Sequence, residues 1–207
     1  TATYLIAIGN AAGSGGATTG AHNTFIGHAA GAAATSGTQN VVIGQSAMTR
    51  LTTGSYNVAI GSEALYYQTT SASNTAVGDS SCKAMTTGAN NTCLGKSTGD
   101  NIDTGTYNIC LGINADPSAS DGDFQIVLGT AIAGTEDYQF TFGTTNSIVQ
   151  NEFDTDAAWT RTSDRRKKRN IQEDNLGLDF INDLKTVTYQ WRPSNEYPKE
   201  WNEYSEK

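Results

Sequence analysis

The sequence has 207 residues with 22 glycines and 3 prolines, only 16% of its residues are charged, and its formal net charge is −8. It has no apolar run of the roughly 20 residues that a transmembrane helix needs, so we expect no membrane insertion. An acidic chain with so few basic residues also argues against a nucleic-acid-binding protein.

Charge and glycine content both change near residue 162. Residues 1–162 carry 12 acidic and 4 basic residues, whereas residues 163–207 carry 9 of each. Of the 22 glycines, 21 lie at or before Gly143. We therefore expect two parts of different structure. The sequence begins at Thr1 without Met or a basic leader, so no signal peptide is visible, and we expect a processed piece or a segment of a longer protein.

Residues 17–135 contain seven copies of a 17-residue repeat. In each copy a polar amide residue is followed three positions later by a large aliphatic residue and four positions later by glycine. The amide residues are Asn23, Asn40, Asn57, Asn74, Asn91, Asn108 and Gln125. A second glycine stands three positions before each of them, except that one copy has Ser71. Residues 1–16 contain an imperfect earlier copy, one residue out of phase, and are expected to form an irregular first coil.

The repeat predicts an all-β fold, a parallel β-solenoid in which each 17-residue coil holds two short strands and two glycine turns. Two glycines per period disfavour helix, while β-branched segments such as Asn40-Val-Val-Ile-Gly44 favour strands that end in turns. Both faces of these strands are mostly apolar, which indicates burial on both sides. One side is the interior of the coil, and the other needs a partner chain. The Asn positions are expected to stack as hydrogen-bonded ladders at turns.

The cysteines Cys82, Cys93 and Cys110 are an odd number in no familiar metal spacing. This argues against a disulfide framework and against a zinc site. Cys93 and Cys110 occupy equivalent positions in successive repeats, but we expect all three cysteines to be small buried apolar residues. We predict no cofactor and no metal.

Repeats such as Asn74-Thr-Ala-Val-Gly78 resemble the head repeats of trimeric autotransporter adhesins, and similar repeats occur in bacteriophage tail fibres. This resemblance implies a left-handed β-roll and a homotrimer. After the repeats, Tyr138, Phe140 and Phe142 alternate and suggest a closing strand. Residues 136–162 are interpreted as an aromatic cap, plugging the last coil, and a connector.

Residues 163–207 are predicted to form a small α+β segment. Leu178, Ile181 and Leu184 recur at the spacing of a short amphipathic helix, and Val187-Thr188-Tyr189-Gln190-Trp191 has the pattern of a strand. Five consecutive basic residues, 165–169, taken alone would suggest a solvated face, a nucleic-acid patch or a localisation signal.

The order Ser163-Asp164-Arg165-Arg166-Lys167-Lys168, then Asn170-Ile171, helix and strand, resembles the endosialidase-type intramolecular chaperone of phage tail fibres and tailspikes. The resemblance implies a domain that assists trimer folding and then cuts itself off. It assigns Thr162–Ser163 as the scissile bond, Ser163 as the nucleophile and Lys168 as the general base, with Lys167 as a second candidate base. The family's later Gly-Phe-Ile-Ala-Gln-like stretch and long helix are not found, so we expect the segment to be the truncated start of that domain.

The leading hypothesis is therefore a trimeric tail fibre, located in the virion tail after assembly in the host cytoplasm. Its expected partners are a host surface receptor such as a polysaccharide and other tail proteins. The only enzymatic activity expected is a single-turnover self-cleavage. One alternative is the head of a bacterial trimeric adhesin. Another is a tailspike depolymerase, which needs paired carboxylates in a groove, whereas Glu63, Asp79, Asp100 and Asp103 occupy scattered positions.

Overall fold

A computed structural model describes residues 4–15 and 19–154. These residues form one sheet of ten strands arranged in chain order, and they contain no helix. They likewise hold no helical segment that is long and apolar enough to cross a membrane. The strands are β1 Ile6–Ile8, β2 Thr24–Ile26, β3 Val41–Ile43, β4 Val58–Ile60, β5 Thr75–Val77, β6 Thr92–Leu94, β7 Ile109–Asp116, β8 Ile126–Ala133, β9 Gln139–Thr144 and β10 Ser147–Glu152.

The strand register follows the repeat. Strands β2 to β8 pair in parallel, each residue with its equivalent in the next repeat, as in Thr75 opposite Thr92. In β1, Ile6 pairs with Thr24, which is the one-residue shift expected for the first coil. Strand β9 continues the parallel series with Phe140 opposite Ile126, and β10 returns antiparallel to β9. The predicted parallel β-solenoid and its closing strand are confirmed.

The expectation of two strands per coil is wrong for most coils. Strands β1 to β6 have three residues each, and the other arm of the coil is a series of turns. In the coils of β3 to β5 that arm places Met48, Leu65 and Cys82 at φ of 45°, 51° and 49°, which is incompatible with an extended strand. Strands β7 and β8 each contain one left-handed residue, Asn114 and Ala131. At the position equivalent to Met48, however, Asp116 and Ala133 are not left-handed, and there β7 and β8 continue for eight residues.

The glycine that follows each of the strands β2 to β6 forms the turn that the sequence predicts. Gly95, after β6, has φ of +135°, a region that residues with a side chain rarely adopt. An added Cβ there would lie 1.7 Å from the carbonyl oxygen of Gly112 in the next coil. Glycine at this position therefore serves both the turn and the close stacking of successive coils.

The interior of the solenoid is thin. The second residue after each amide points inward and is fully buried, as for Val42 and Val127. It belongs to one buried cluster with apolar residues of the turn arm, including Leu51 and Ile102. With so few buried rows per coil, each coil depends on its neighbours for stability.

Inside this core Cys82 and Cys93 form a disulfide, which corrects the expectation that all three cysteines are unpaired. The bond joins the turn arm of one coil to strand β6 of the next, across the interior. Cys82 and Cys93 are 11 residues apart, so they do not occupy equivalent positions of the 17-residue repeat. A comparison of equivalent positions therefore does not reveal this pair. Cys110 is free and buried, and burial raises the pKa of its thiol to about 12.

The predicted asparagine ladder is confirmed and is buried along its whole length. In each step the side-chain Oδ1 of one Asn accepts the backbone N–H of the next amide residue, at 2.9–3.0 Å. Its Nδ2 donates to a backbone carbonyl of the next coil, for example from Asn91 to Gly105 at 2.8 Å. Each Asn thus satisfies a buried donor and a buried acceptor that the turns leave unpaired.

Candidate functional site

The residues predicted for self-cleavage lie outside the part of the chain that the structure describes. This applies to Thr162, Ser163, Asp164, Lys167 and Lys168, and also to the predicted helix and strand that follow them. The functional surfaces described below therefore belong to the solenoid.

One of these surfaces is mostly apolar and at least partly exposed, and we call it the outward face. It consists of the first and third residues after each amide, which alternate with the buried second residue because side chains in a strand point to opposite sides. In the single chain Ile60, Leu94 and Leu128 remain 36%, 41% and 43% exposed. The members are Thr24, Ile26, Val41, Ile43, Val58, Ile60, Thr75, Val77, Thr92, Leu94, Ile109, Leu111, Ile126 and Leu128.

The outward face continues into the last parallel strand. We expected Phe140 and Phe142 to plug the final coil, but their register places them opposite Ile126 and Leu128, which are outward residues. The inward residues of β9 are Gln139 and Thr141, which are buried and bond to each other at 2.9 Å. The two phenylalanines thus extend the apolar surface, and an exposed apolar surface of this length marks an interaction site.

A ladder of aromatic rings follows one edge of the solenoid. Tyr107, Phe124 and Tyr138 precede the amide position in three successive coils, and their ring centroids lie 4.8 and 5.0 Å apart in nearly parallel planes. All three have left-handed φ. Their rings stack at the spacing of the coils, so each ring covers a face of its neighbour and supports the coil stacking.

Two of the four carboxylates considered for a depolymerase are engaged by other groups. Glu63 forms an ion pair with Lys83 at 2.6 Å, and Asp103 accepts a hydrogen bond from the Thr86 hydroxyl. Asp116, which sequence reasoning did not single out, accepts the backbone N–H of Asp100 at 2.9 Å. Burial raises the pKa of both Asp100 and Asp116, because desolvation disfavours their charged forms. Asp116 therefore serves the turn of the preceding coil.

The turn arm also carries a cation–aromatic cluster that sequence reasoning missed. Arg50 lies over the rings of Tyr66 and Tyr67 in the following coil, with its guanidinium carbon 5.8 and 4.8 Å from their centroids. At the repeat positions of Arg50, Tyr66 and Tyr67 the other coils mostly have alanine or small polar residues. This departure from the repeat was the signal in the sequence that could have indicated the cluster.

Comparison with known families identifies the segment that begins at the predicted nucleophile. Residues 163–204 match the family model of the chaperone of endosialidase. The match starts at Ser163 and covers about a fifth of the chain. Neither the curated proteins nor the solved structures compared with the chain gave a match. A chaperone-of-endosialidase segment thus follows a parallel β-solenoid, and this combination is consistent with a tail-fibre or tailspike type of protein.

Proposed function

We propose that the chain is the solenoid shaft or head of a trimeric bacteriophage tail fibre that attaches the virion to its host. The observation that carries this proposal is the chaperone-of-endosialidase match immediately after the solenoid. A bacterial adhesin head would account for the repeats but leaves that match unexplained. The family's chaperone role suggests trimer assembly, and the location in the virion tail follows from the same proposal.

The outward face supports assembly as a homotrimer. It presents an aliphatic residue such as Leu94 in every coil, and in the single chain no other part of the described sheet covers it. Burying each such side chain contributes on the order of 1 kcal/mol, in proportion to its remaining exposed apolar area. Repeated over successive coils, this gives a driving force for association that no single contact supplies.

The oligomeric state of the full chain tests this proposal. Leu94→Glu places a charge at the centre of the outward face, and we expect it to shift the protein from trimer to monomer in sedimentation analysis. Asn101→Glu adds the same charge at an exposed position on the turn arm and should leave the trimer intact. A wild-type protein that sediments as a monomer would contradict the proposal.

We further propose that the C-terminal segment cuts itself off at the Thr162–Ser163 bond. The Ser163 Oγ attacks the Thr162 carbonyl carbon while Lys168 Nζ accepts the hydroxyl proton, and that proton then passes to the departing Ser163 nitrogen. Water hydrolyses the resulting ester and releases the Thr162 carboxylate. The cationic neighbours Arg166 and Arg169 favour the neutral, basic form of Lys168, and the intramolecular reaction gives a high effective concentration.

Expression of the gene in full length tests the cleavage. Wild type should yield two fragments, whereas Ser163→Ala should yield one uncut chain. Lys168→Met and Lys167→Met, compared side by side, identify the base, since only the variant that removes the base should abolish cutting. Equal cleavage of wild type and Ser163→Ala would rule out the assigned nucleophile. Release of reducing ends from a polysaccharide by the purified protein would instead favour a depolymerase.

A further inference from the structure

The turn arm of the solenoid carries a cation on an aromatic support. Arg50 is exposed, and its guanidinium contacts the rings of Tyr66 and Tyr67, whose centroids lie 4.8 Å apart at an interplanar angle of 76°. The equivalent positions in the coil before Arg50 are alanines, Ala32 and Ala33. The cluster therefore belongs to one place along the shaft and is not required by the repeat.

The charge of Arg50 is not compensated within the described part of the chain. In those residues the basic side chains are Arg50, Lys83 and Lys96, and the ion pair found joins Lys83 to Glu63. Glu63, which belongs to the same coil as the tyrosines, is paired with Lys83 and not with Arg50. Lys96 is also exposed and outside that ion pair, but Arg50 is the described cation that lies over aromatic rings, and this combination points to a negative ligand.

The geometry selects the kind of ligand. A cation–π contact such as that with Tyr67 holds the guanidinium through its charge, so its N–H donors remain available to a ligand. Those donors match the two oxygens of a carboxylate or phosphate, which they bind in a bidentate manner. Tyr67, which is 37% exposed, adds an apolar ring and a hydroxyl beside the cation. A sugar unit that carries an acidic group presents the complementary combination of an oxyanion, hydroxyls and apolar C–H faces.

We propose that Arg50, Tyr66 and Tyr67 form a binding site for an oxyanion-bearing glycan. The site lies on the turn arm, separated from the outward face by the buried interior, so a trimer that associates through the outward face leaves the site accessible. The inference rests on the proposed role in host attachment and specifies the class of receptor and the coil that contacts it.

Binding of glycans to the full chain tests the site. The probes are polygalacturonate, which supplies carboxylates, phosphomannan, which supplies phosphates, and neutral dextran. We expect wild type to bind one of the charged glycans and not dextran, and the preferred one identifies the oxyanion. Arg50→Gln should weaken that binding about tenfold or more. Arg50→Lys, which keeps the charge without the planar fork, should also weaken it.

Lys96→Gln is the matched control, since it removes one exposed positive charge at another coil and should change the affinity by less than about twofold. Equal losses in Arg50→Gln and Lys96→Gln would show nonspecific attraction and overturn the site, as would binding of Arg50→Lys at the wild-type level. Failure of wild type to bind either charged glycan would also overturn it. Sedimentation of the same samples separates the two proposals, because a trimer without glycan binding refutes only this site, whereas a monomer contradicts the fibre itself.

Discussion

Replacing Asn91 by alanine removes one step of the buried ladder. The Oδ1 atom of Asn91 accepts the backbone N–H of Asn108 at 2.9 Å, and its Nδ2 donates to the Gly105 carbonyl at 2.8 Å. Both partners are buried in the stacked coils. Alanine leaves one donor and one acceptor without a partner, and each such buried group costs about 1–3 kcal/mol. We therefore expect Asn91→Ala to lower the free energy of unfolding by about 2–6 kcal/mol.

Two measurements check this expectation on the full chain. Urea denaturation reports the loss of stability, and hydrogen exchange reports the Asn108 amide, which should exchange at least about tenfold faster when it loses its acceptor. Asn101→Ala is the control, because Asn101 is exposed and its side chain donates only to the Pro117 carbonyl at 2.9 Å. A loss in Asn91→Ala no larger than in Asn101→Ala, with unchanged exchange at Asn108, would refute the ladder as a source of stability.

Three further expectations concern the coil interior and its turns. Gly95→Ala should prevent folding of the wild-type solenoid, seen as loss of β signal in circular dichroism, because its Cβ has no room beneath Gly112; wild-type stability would contradict this. Without reductant, iodoacetamide should label only Cys110, because Cys82 and Cys93 are bonded to each other. It should do so only after unfolding, because burial raises the pKa of the Cys110 thiol to about 12. Labelling of the native protein at pH 8 would count against this. Gln68→Met should leave the free energy of unfolding in urea unchanged or raise it by about 1 kcal/mol, since Gln68 has a buried oxygen without a hydrogen-bond partner. A clear loss of stability would show that the hydrogen bonds of Gln68 Nε2 outweigh the cost of that oxygen.

Both acceptors of the Gln68 side chain also accept hydrogen bonds from other donors. Gln68 Nε2 donates to Asn57 Oδ1 and to the Ser71 carbonyl. Each of these oxygens keeps another donor without Gln68, because Asn74 N–H bonds to Asn57 Oδ1 and Asn57 Nδ2 bonds to the Ser71 carbonyl. Met85 occupies the same repeat position one coil later and is fully buried. Methionine therefore fits the column without leaving a partner unsatisfied.

Much of the fold is predictable from the repeat alone. A constant period with fixed positions for Asn and Gly means that equivalent residues stack, so the parallel register, the Asn ladder and the glycine turns all follow. Alternation along a strand likewise predicts one buried and one outward apolar face. The shift of the first coil is visible as well, since Ile6 pairs with Thr24, one position beyond the regular period.

Contacts between different repeat positions could not be predicted in this way. The Cys82–Cys93 bond, the Asp100–Asp116 contact and the contact of Arg50 with Tyr66 join residues on different arms or at unequal repeat positions, whereas Arg50 and Tyr67 are equivalent residues of successive coils. The conformation of the turn arm is a second example, because the repeat predicts a second strand in each coil, whereas Met48 and Leu65 on that arm adopt left-handed φ.

The difference between the contacts that the repeat predicts and those that it does not predict has a physical cause. Repetition in sequence determines which residues stack along the axis, because identical coils can share identical backbone hydrogen bonds only when they are in register. It does not determine how the two arms of one coil meet across the interior. That depends on backbone angles at individual residues and on the width of the core, and only the tertiary structure decides it. The sequence alone thus established a β-solenoid joined to a chaperone-like segment, and the structure decided which surfaces of that solenoid are free to bind.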